Sequence, residues 1–447
     1  MNSEIENKLW STYYGDTSFE AANDIVIDND LNNIYVVGYA DSTVSLLPNV
    51  IGGAYNSITG KGLLLKFSSS FQRLWATTIG NNTTNCYIRS VDVDQSNNLY
   101  IGGFITGATL PSANNSLKGL TDGFVIKFKA SDNSIDWSSY IGGDSTDVAI
   151  SVAASKLDNS LYITGTTVYP SHFPFTMEHS TDYIDSTYNG GDRDIYIAKL
   201  NKTSGTILWS TLFGSNDTDF GANIVQASNH NVFLTGESYG SGSSIHWSHP
   251  LNGLFRDTTN AALLNQALIL GFSADNKLFW STFLGGDEMD AGFSLRTNNT
   301  GSELFVLGNT SSSPQLHFPL ADGNGIPYFQ DTLGNPNFNA TSFIARFDIA
   351  SLGLSIAADN KLEVSDVAIF PSPTISELNI VVNCTEKENA VFCIYNINGQ
   401  VVSEQKTEVN KGIQKYKLST INLKDGLYFF RIIGENKLNY CSKFIKQ

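Results

Sequence analysis

The chain has 447 residues, 41% of them hydrophobic, 12% aromatic and 16% charged, with 38 glycines and a formal net charge of −16. That hydrophobic share fills a core and argues against wholesale disorder. The acidic balance, with seven arginines in all, argues against a phosphate-binding surface for nucleic acid or for an anionic membrane. Gly, Asn, Ser, Thr and aromatics dominate, which suits short strands and tight turns better than helical bundles. No apolar run approaches the ~20 residues that span a bilayer. Cys86, Cys384, Cys393 and Cys441 form no CxxC pair, so a zinc site of ordinary spacing is not supported.

In chain order, a tryptophan-bearing run opens the sequence at LWSTYYG (9–15) and returns as LWATTIG (74–80), DWSSYIGG (136–143), LWSTLFG (208–214) and FWSTFLGG (279–286). Trp10, Trp75, Trp137, Trp209 and Trp280 stand 65, 62, 72 and 71 residues apart, and Trp247 alone lies outside the motif. After each motif comes a first strand: DIVID (24–28), SVDVD (90–94), ISVAAS (150–155), NIVQA (223–227) and FSLRT (293–297). A short Asp- and Asn-rich turn leads to a second strand that ends on Gly: NIYVVG (33–38), NLYIGG (98–103), SLYITG (160–165), NVFLTG (231–236) and ELFVLG (303–308). A long variable stretch precedes a third strand: GLLLKF (62–67), GFVIKF (123–128), IYIAKL (195–200), ALILGF (267–272) and SFIARF (342–347).

Four strands per repeat with a Trp and Gly signature describe a β-propeller blade, the Trp strand being outermost. Five outermost strands meet five sets of inner strands, so the expectation is an all-β propeller of about five four-stranded blades over residues 1–352, closed by the N-terminal strand (9–14). The repeat W-S-T-Y-x-G-G, an acidic residue, L-Y-x-T-G and S-x-x-F-P resembles the bacterial β-propeller repeat family often described as seven-bladed. Its last element stands as Ser171-His172-Phe173-Pro174, and loosely as PQLHFP (314–319), while the first two repeats carry Leu47-Pro48 and Leu110-Pro111. The resemblance implies a fold and not an activity.

A linker is expected at 353–364 and a small Ig-like β-sandwich at 365–447. The charge changes across this boundary, from −18 over 1–360 to +2 over 361–447. The segment resembles the type A sorting domain of the type IX secretion system of the Bacteroidetes lineage. Its motif positions are Pro371 and Pro373 around Ser372, then Tyr395, Gly399 and Val402, then Leu423, Gly426 and Tyr428, and finally Lys443-Phe444-Ile445-Lys446. The resemblance implies export by the type IX machinery to the cell surface or the medium. Such export uses a leader for the inner membrane, and MNSEIENKLW has no such pattern, so the start is expected to be incomplete or trimmed.

In a four-stranded blade the links between blades and the loops between strands two and three share one face. Here that face carries 39–61, 104–121, 166–194, 237–264 and 309–341, and long loops on a rigid scaffold are where binding resides. Glu20, Cys86, Asp147, Asp219 and Asp290 recur at one position near it, with Asp144 beside them. One reading of these acids is a Ca²⁺ or sugar-hydroxyl site; the favoured one is that each Asp accepts backbone N–H bonds at a blade junction, with no cofactor. Tyr55, Tyr169, Phe173, Tyr188, Trp247, Phe255, Tyr328 and Phe329 populate the loops and could stack on sugars, Trp247, Tyr188 and Phe173 being the leading candidates. His246 and His249 lack a third metal ligand. The expected function is a secreted or surface-attached, monomeric, non-catalytic binding or adhesion protein for glycan or protein. The alternatives are a purely structural surface component and a sialidase-type glycosidase. For the latter Ser273, Asp275 and Trp280 echo an Asp-box that Lys277 and Phe279 break, and Arg89, Arg193, Arg256 and Arg296 do not assemble into a carboxylate clamp.

Overall fold

The structure, a computed structural model, describes residues 10–15, 19–41, 54–81, 83–248, 255–260, 264–312, 318–320, 341–349, 367–370, 374, 376–384, 387–396, 400–434 and 439–446. It divides into two compact units, Met1–Leu354 and Ser355–Gln447. The stretch expected as a linker lies outside the described residues.

The first unit is a series of antiparallel blades of the propeller type. Blade one holds β1 (Glu20–Ile27), β2 (Asn33–Ala40), β3 (Gly62–Ser68) and β4 (Arg73–Ile79). Blade two holds β5 (Cys86–Val93), β6 (Leu99–Thr106), β7 (Thr121–Phe128) and β8 (Ile135–Ile141). Blade three holds β9 (Asp147–Ala154), β10 (Ser160–Thr167), β11 (Asp194–Asn201) and β12 (Ile207–Phe213). Blade four holds β13 (Asp219–Gln226), β14 (Val232–Ser238), β15 (Gln266–Phe272) and β16 (Leu278–Leu284). Among the described residues blade five has three strands, β17 (Asp290–Thr297), β18 (Glu303–Thr310) and β19 (Thr341–Asp348). Of the fourth strand expected there from residues 9–14, the described residues 10–14 are not paired with it. Trp10 instead lies on blade one, stacked on Phe71 at 4.9 Å and edge-on to Phe67 at 5.7 Å.

The Gly that ends each second strand has a steric cause. A register shift in the first strand leaves Asn23, Arg89, Ile150, Ala222 and Phe293 unpaired at equivalent positions, and this bulge drives a carbonyl toward the partner strand. A Cβ on Gly38, Gly103, Gly165, Gly236 or Gly308 would stand 1.9 to 2.1 Å from the carbonyl oxygen of Ala21, Tyr87, Val148, Phe220 or Ala291. Only glycine admits that approach.

Successive blades share cores. Tyr35, Leu64 and Trp75 of blade one pack with Val91, Ile101 and Phe128 of blade two, and the pattern repeats to Trp280 of blade four against Leu304 and Phe343 of blade five. First strands are also stitched together by hydrogen bonds. Asp24 accepts from Val91 N at 2.9 Å, Ser90 Oγ from Val152 N at 3.3 Å, Ser151 Oγ from Ile224 N at 3.3 Å, and Asn223 Oδ1 from Leu295 N at 3.0 Å. The four acceptors occupy one repeat position, so one residue per blade sets the stacking.

The second unit has two sheets. One orders β20 (Val367–Phe370), β21 (Glu377–Cys384) and β24 (Gly412–Ser419). The other orders β23 (Val401–Val409), β22 (Glu388–Asn396), β25 (Gly426–Gly434) and β26 (Asn439–Lys446). Leu378 and Ile380 from the first sheet share a core with Phe392, Phe430 and Phe444 from the second.

Candidate functional site

The acids at the blade junctions are structural in their contacts. Asp147 Oδ2 accepts from Gly143 N at 2.8 Å, Asp219 Oδ2 from Ser215 N at 2.7 Å, and Asp290 Oδ2 from Gly286 N at 2.8 Å. Each bond closes the link between blades, as in the favoured reading. The second oxygen of each, Oδ1, has no partner, and all three side chains are buried. Burial pushes Asp147 up to about 6 and Asp219 to about 7, and raises Asp290. Each faces a residue at the start of the previous blade's third strand. The space a Cβ on Gly214 would fill lies 2.7 Å from Asp194 Oδ1 and 3.1 Å from Asp219 Oδ2, and the space beside Gly142 lies 3.0 Å from Asp122 Oδ1 and 2.7 Å from Asp147 Oδ2. Among the described residues no group of three or more His, Cys, Asp or Glu is arranged to hold a metal.

The aromatic candidates separate by burial. Phe173 is 5% exposed and packs on Phe175 and Tyr196 in the core between blades, so it offers no free ring face. Trp247 is half-buried, donates Nε1–H to Gly242 O and packs edge-on against Phe283 at 4.9 Å; it plugs its loop onto blade four. Tyr188 is different. Its ring lies 5.0 Å from that of Tyr169, at 33°, and Tyr188 Oη donates to Gly191 O at 2.6 Å. Tyr169 is 64% exposed. Its φ is +48°, and that of His172, three residues on, is +57°. Bulky residues rarely adopt this conformation.

Polar groups flank this pair. Asp144 Oδ2 meets His172 Nδ1 at 2.5 Å, with side chains 51% and 75% exposed. Lys118 Nζ reaches across from blade two to donate to His172 O at 2.9 Å. Arg193 lies over the Phe220 ring at 5.0 Å. The Asp144 link, the 166–194 loop and the start of β13 thus place an aromatic pair, Tyr169 exposed and Tyr188 half-buried, and a carboxylate–imidazole pair on the loop-bearing face. Sequence reasoning named Tyr169 among the loop aromatics but ranked Trp247 above it. Singularity of a Trp in the sequence does not report whether its ring is covered.

On the opposite face, where the short turns lie, a cavity of about 400 Å³ opens between blades two and three, lined among others by Asp94, Tyr100, Lys127, Lys156, Asp158 and Lys202. Most of its charged groups are engaged with neighbours. Lys127 pairs with Asp136 at 3.0 Å, and Lys202 donates to Ser155 O. Burial pushes Asp158 up, but hydrogen bonds from His230, Ser155 and Ser160 outweigh it and hold the carboxyl at about 2.

In the second unit Tyr428 is 8% exposed, stacks on Phe444 at 5.7 Å and donates Oη–H to Lys424 O at 2.9 Å. Gly426 opens β25 with φ +151°, and Lys443 lies on β26. Pro371, Pro373 and Gly399 fall outside the described residues. Cys86 and Cys393 are buried free thiols.

Residues 368–447 match the family model described as a secretion system C-terminal sorting domain. A search of curated proteins found no match. Among solved structures, a glycoside hydrolase family 43 arabinoxylan arabinofuranohydrolase from Bacillus subtilis is 9% identical, over 98% of this chain and 94% of that one, with a TM-score of 0.24. A glycoside hydrolase family 32 protein from Bifidobacterium adolescentis is 9% identical, over 96% and 76%, at 0.28. Dimeric latent PorU from Porphyromonas gingivalis is 11% identical, over 84% and 36%, at 0.18. At these scores the three say nothing about the chemistry of this chain. No described helix is long and apolar enough to cross a membrane. The tail at 368–447 is a sorting domain of the type IX secretion system, and the chain is a propeller-type protein that this tail directs to the cell surface or the medium.

Proposed function

We propose that the blade unit is a non-catalytic glycan-binding module, with Tyr169 and Tyr188 as its stacking platform and Asp144 and His172 as hydrogen-bonding partners for sugar hydroxyls. The observation that carries it is the exposed, strained Tyr169 held against Tyr188 on the loop-bearing face. Sugar rings stack on such aromatic faces, and a few placed polar groups then orient them. Delivery outside the cell puts polysaccharide within reach.

A glycosidase reading finds less support. The Asp194–Asp219 and Asp122–Asp147 pairs are fully buried, out of reach of a substrate. The arginines a sialidase would gather are engaged separately: Arg89 over Tyr87 and Phe104, Arg193 over Phe220, Arg296 on Asn223 Oδ1. The test is an array of soluble polysaccharides and host glycans probed with the full chain, followed by calorimetry on hits and assay of those glycans for cleavage. Binding without turnover, weakened at least tenfold by Tyr169→Ala or Tyr188→Ala, is expected. Binding that survives both substitutions removes the platform, and turnover replaces the module with an enzyme.

A further inference from the structure

Many cations of the blade unit are matched by acids. Lys61 meets Asp41, Lys127 and Lys129 meet Asp136, Lys199 meets Glu178 and Arg346 meets Glu303, as a chain with 43 acidic side chains against 27 lysines and arginines allows. Two cations at the Tyr169–Tyr188 pair are held by neutral partners instead. Lys118, exposed, gives its ammonium to the carbonyl of His172 at 2.9 Å. Arg193, half-buried, lies over the Phe220 ring at 5.0 Å, and its Nε is buried with no acceptor. Among the described residues neither forms an ion pair.

Both are fixed by the segments that carry the rings. Tyr169 and His172 belong to one turn, closed by Ser171 N–H on Tyr169 O at 2.7 Å and Phe173 N–H on Pro170 O at 3.0 Å, so Lys118 is anchored to the turn that holds Tyr169. The Tyr188 hydroxyl ends on Gly191 O, two residues before Arg193. Burial raises that hydroxyl above its ordinary value and the Arg193 charge opposes the rise, so the guanidinium acts at the ring pair. The repeat demands a backbone at position 193 but not an arginine. Arg193 O accepts from Asp219 N at 2.8 Å, and in the next blade Asn265 O accepts from Asp290 N at 2.7 Å in the same way. The side chain is therefore free of the junction's needs. A guanidinium lying on a ring keeps its planar fork pre-organised, and a fork without a carboxylate suits an acceptor that brings its own charge. Of the acids nearby, Asp144 is taken up by His172, and Asp192 is exposed.

We infer, resting on the glycan-binding reading above, that the glycan taken at Tyr169 and Tyr188 is an acidic one, its carboxylates or sulfate esters held by Arg193 at the Tyr188 end and Lys118 at the Tyr169 end. The formal charge of −16 repels a polyanion at long range, so preference for one has to come from local cations such as these.

Calorimetry on the full chain at near-physiological salt tests this with matched polymers: polygalacturonate against its methyl ester, and chondroitin sulfate against desulfated chondroitin. The expected result is at least tenfold tighter binding of the more acidic polymer in one arm, and the arm that shows it assigns carboxylate or sulfate. Arg193→Gln should remove most of that preference, and Lys118→Gln, at an exposed position, gives the same readout should the first variant fail to fold. Lys156→Gln takes the same charge from the opposite face and should leave the preference within twofold. Equal affinity for both members of each pair, still lost in Tyr169→Ala, overturns the acidic class and leaves the ring platform standing. A preference that survives both Arg193→Gln and Lys118→Gln, or that falls as much in Lys156→Gln, overturns the assignment to these two residues. Binding of no polymer at all, neutral or acidic, removes the platform and the inference together.

Discussion

Asp194→Asn probes the buried junction between blades three and four. Asp194 and Asp219 are both fully buried there, each leaves Oδ1 without a partner, and burial pushes each to about 7 from an ordinary 3.8. A rise of roughly three pK units corresponds to ~4 kcal/mol for one group titrating alone. The sign follows from proton uptake. The folded chain keeps a proton that the unfolded chain has released, so stability from this group is full below pH ~4 and is lost as pH rises through about 7. In the variant the amide oxygen keeps the bond from Asn189 N that Asp194 Oδ2 accepts at 2.9 Å, and the amide nitrogen replaces the unpartnered oxygen. The next junction already contains a neutral version. Gln266 holds the same repeat position and donates Nε2–H to Gly286 O at 2.9 Å and Glu288 O at 3.0 Å. Two carboxylates share the site, so the gain is set below the single-group limit, at about 2 to 3 kcal/mol at pH 8 and near zero at pH ~3.5, below the unfolded value. Urea unfolding followed by tryptophan fluorescence measures it, and all six tryptophans lie between Trp10 and Trp280, so the signal belongs to the blades. Equal effects at both pH values would refute the reasoning. So would a loss of stability at pH 8, and a calcium-induced thermal shift of the unmodified protein would then mark the pair as ionised around a cation.

Two further substitutions separate structure from binding. Gly165→Ala drives a methyl to 1.9 Å from Val148 O and 2.8 Å from the Tyr196 ring; it should cost at least ~2 kcal/mol by the same unfolding assay. Trp247→Ala removes a ring packed on Phe283 and should lower stability by ~1 to 3 kcal/mol while leaving glycan affinity within twofold by calorimetry.

The blades were legible in the sequence because their causes are local. Alternation, Asp–Asn turns and the Gly beside each bulge recur at fixed offsets, so β1 to β19 fall where the repeat puts them. The tail was legible for a similar reason, with ordered short motifs in a small sandwich. The junction role of Asp147, Asp219 and Asp290 could be read from repetition itself, since a residue that recurs in each blade serves the joint between blades. What could not be read was cover. Phe173, Trp247 and Tyr169 are all loop aromatics of similar context, and only the path of each loop decides which ring is buried. Nor does the pattern reveal that Asp122 and Asp194 oppose the junction acids Asp147 and Asp219 where Gln266 stands beside Asp290. That pairing joins positions on different blades, and each is unremarkable on its own strand.

Tyr169 offers the sharpest separation of stability from function. A bulky residue at φ +48° bears a backbone cost of ~1 kcal/mol, partly offset by the ring contact with Tyr188. Six of the other left-handed non-glycine residues, Leu31, Asn97 and His230, and likewise Phe71, Asn133 and Asn276, occupy the short turns that the repeat dictates, and Ser112 lies in the 104–121 loop. Tyr169 and His172 lie in a variable loop, where no repeat requires the conformation. Tyr169→Gly removes the strain and the ring together. The lost stacking and the extra freedom of the unfolded glycine oppose the relieved strain, so stability should change by less than ~1 kcal/mol. Glycan affinity should fall at least tenfold, and Tyr169→Phe should retain both. If the glycine variant instead loses ~2 kcal/mol or more by urea unfolding, Tyr169 is holding the loop on the blade, and its strain has no bearing on recognition.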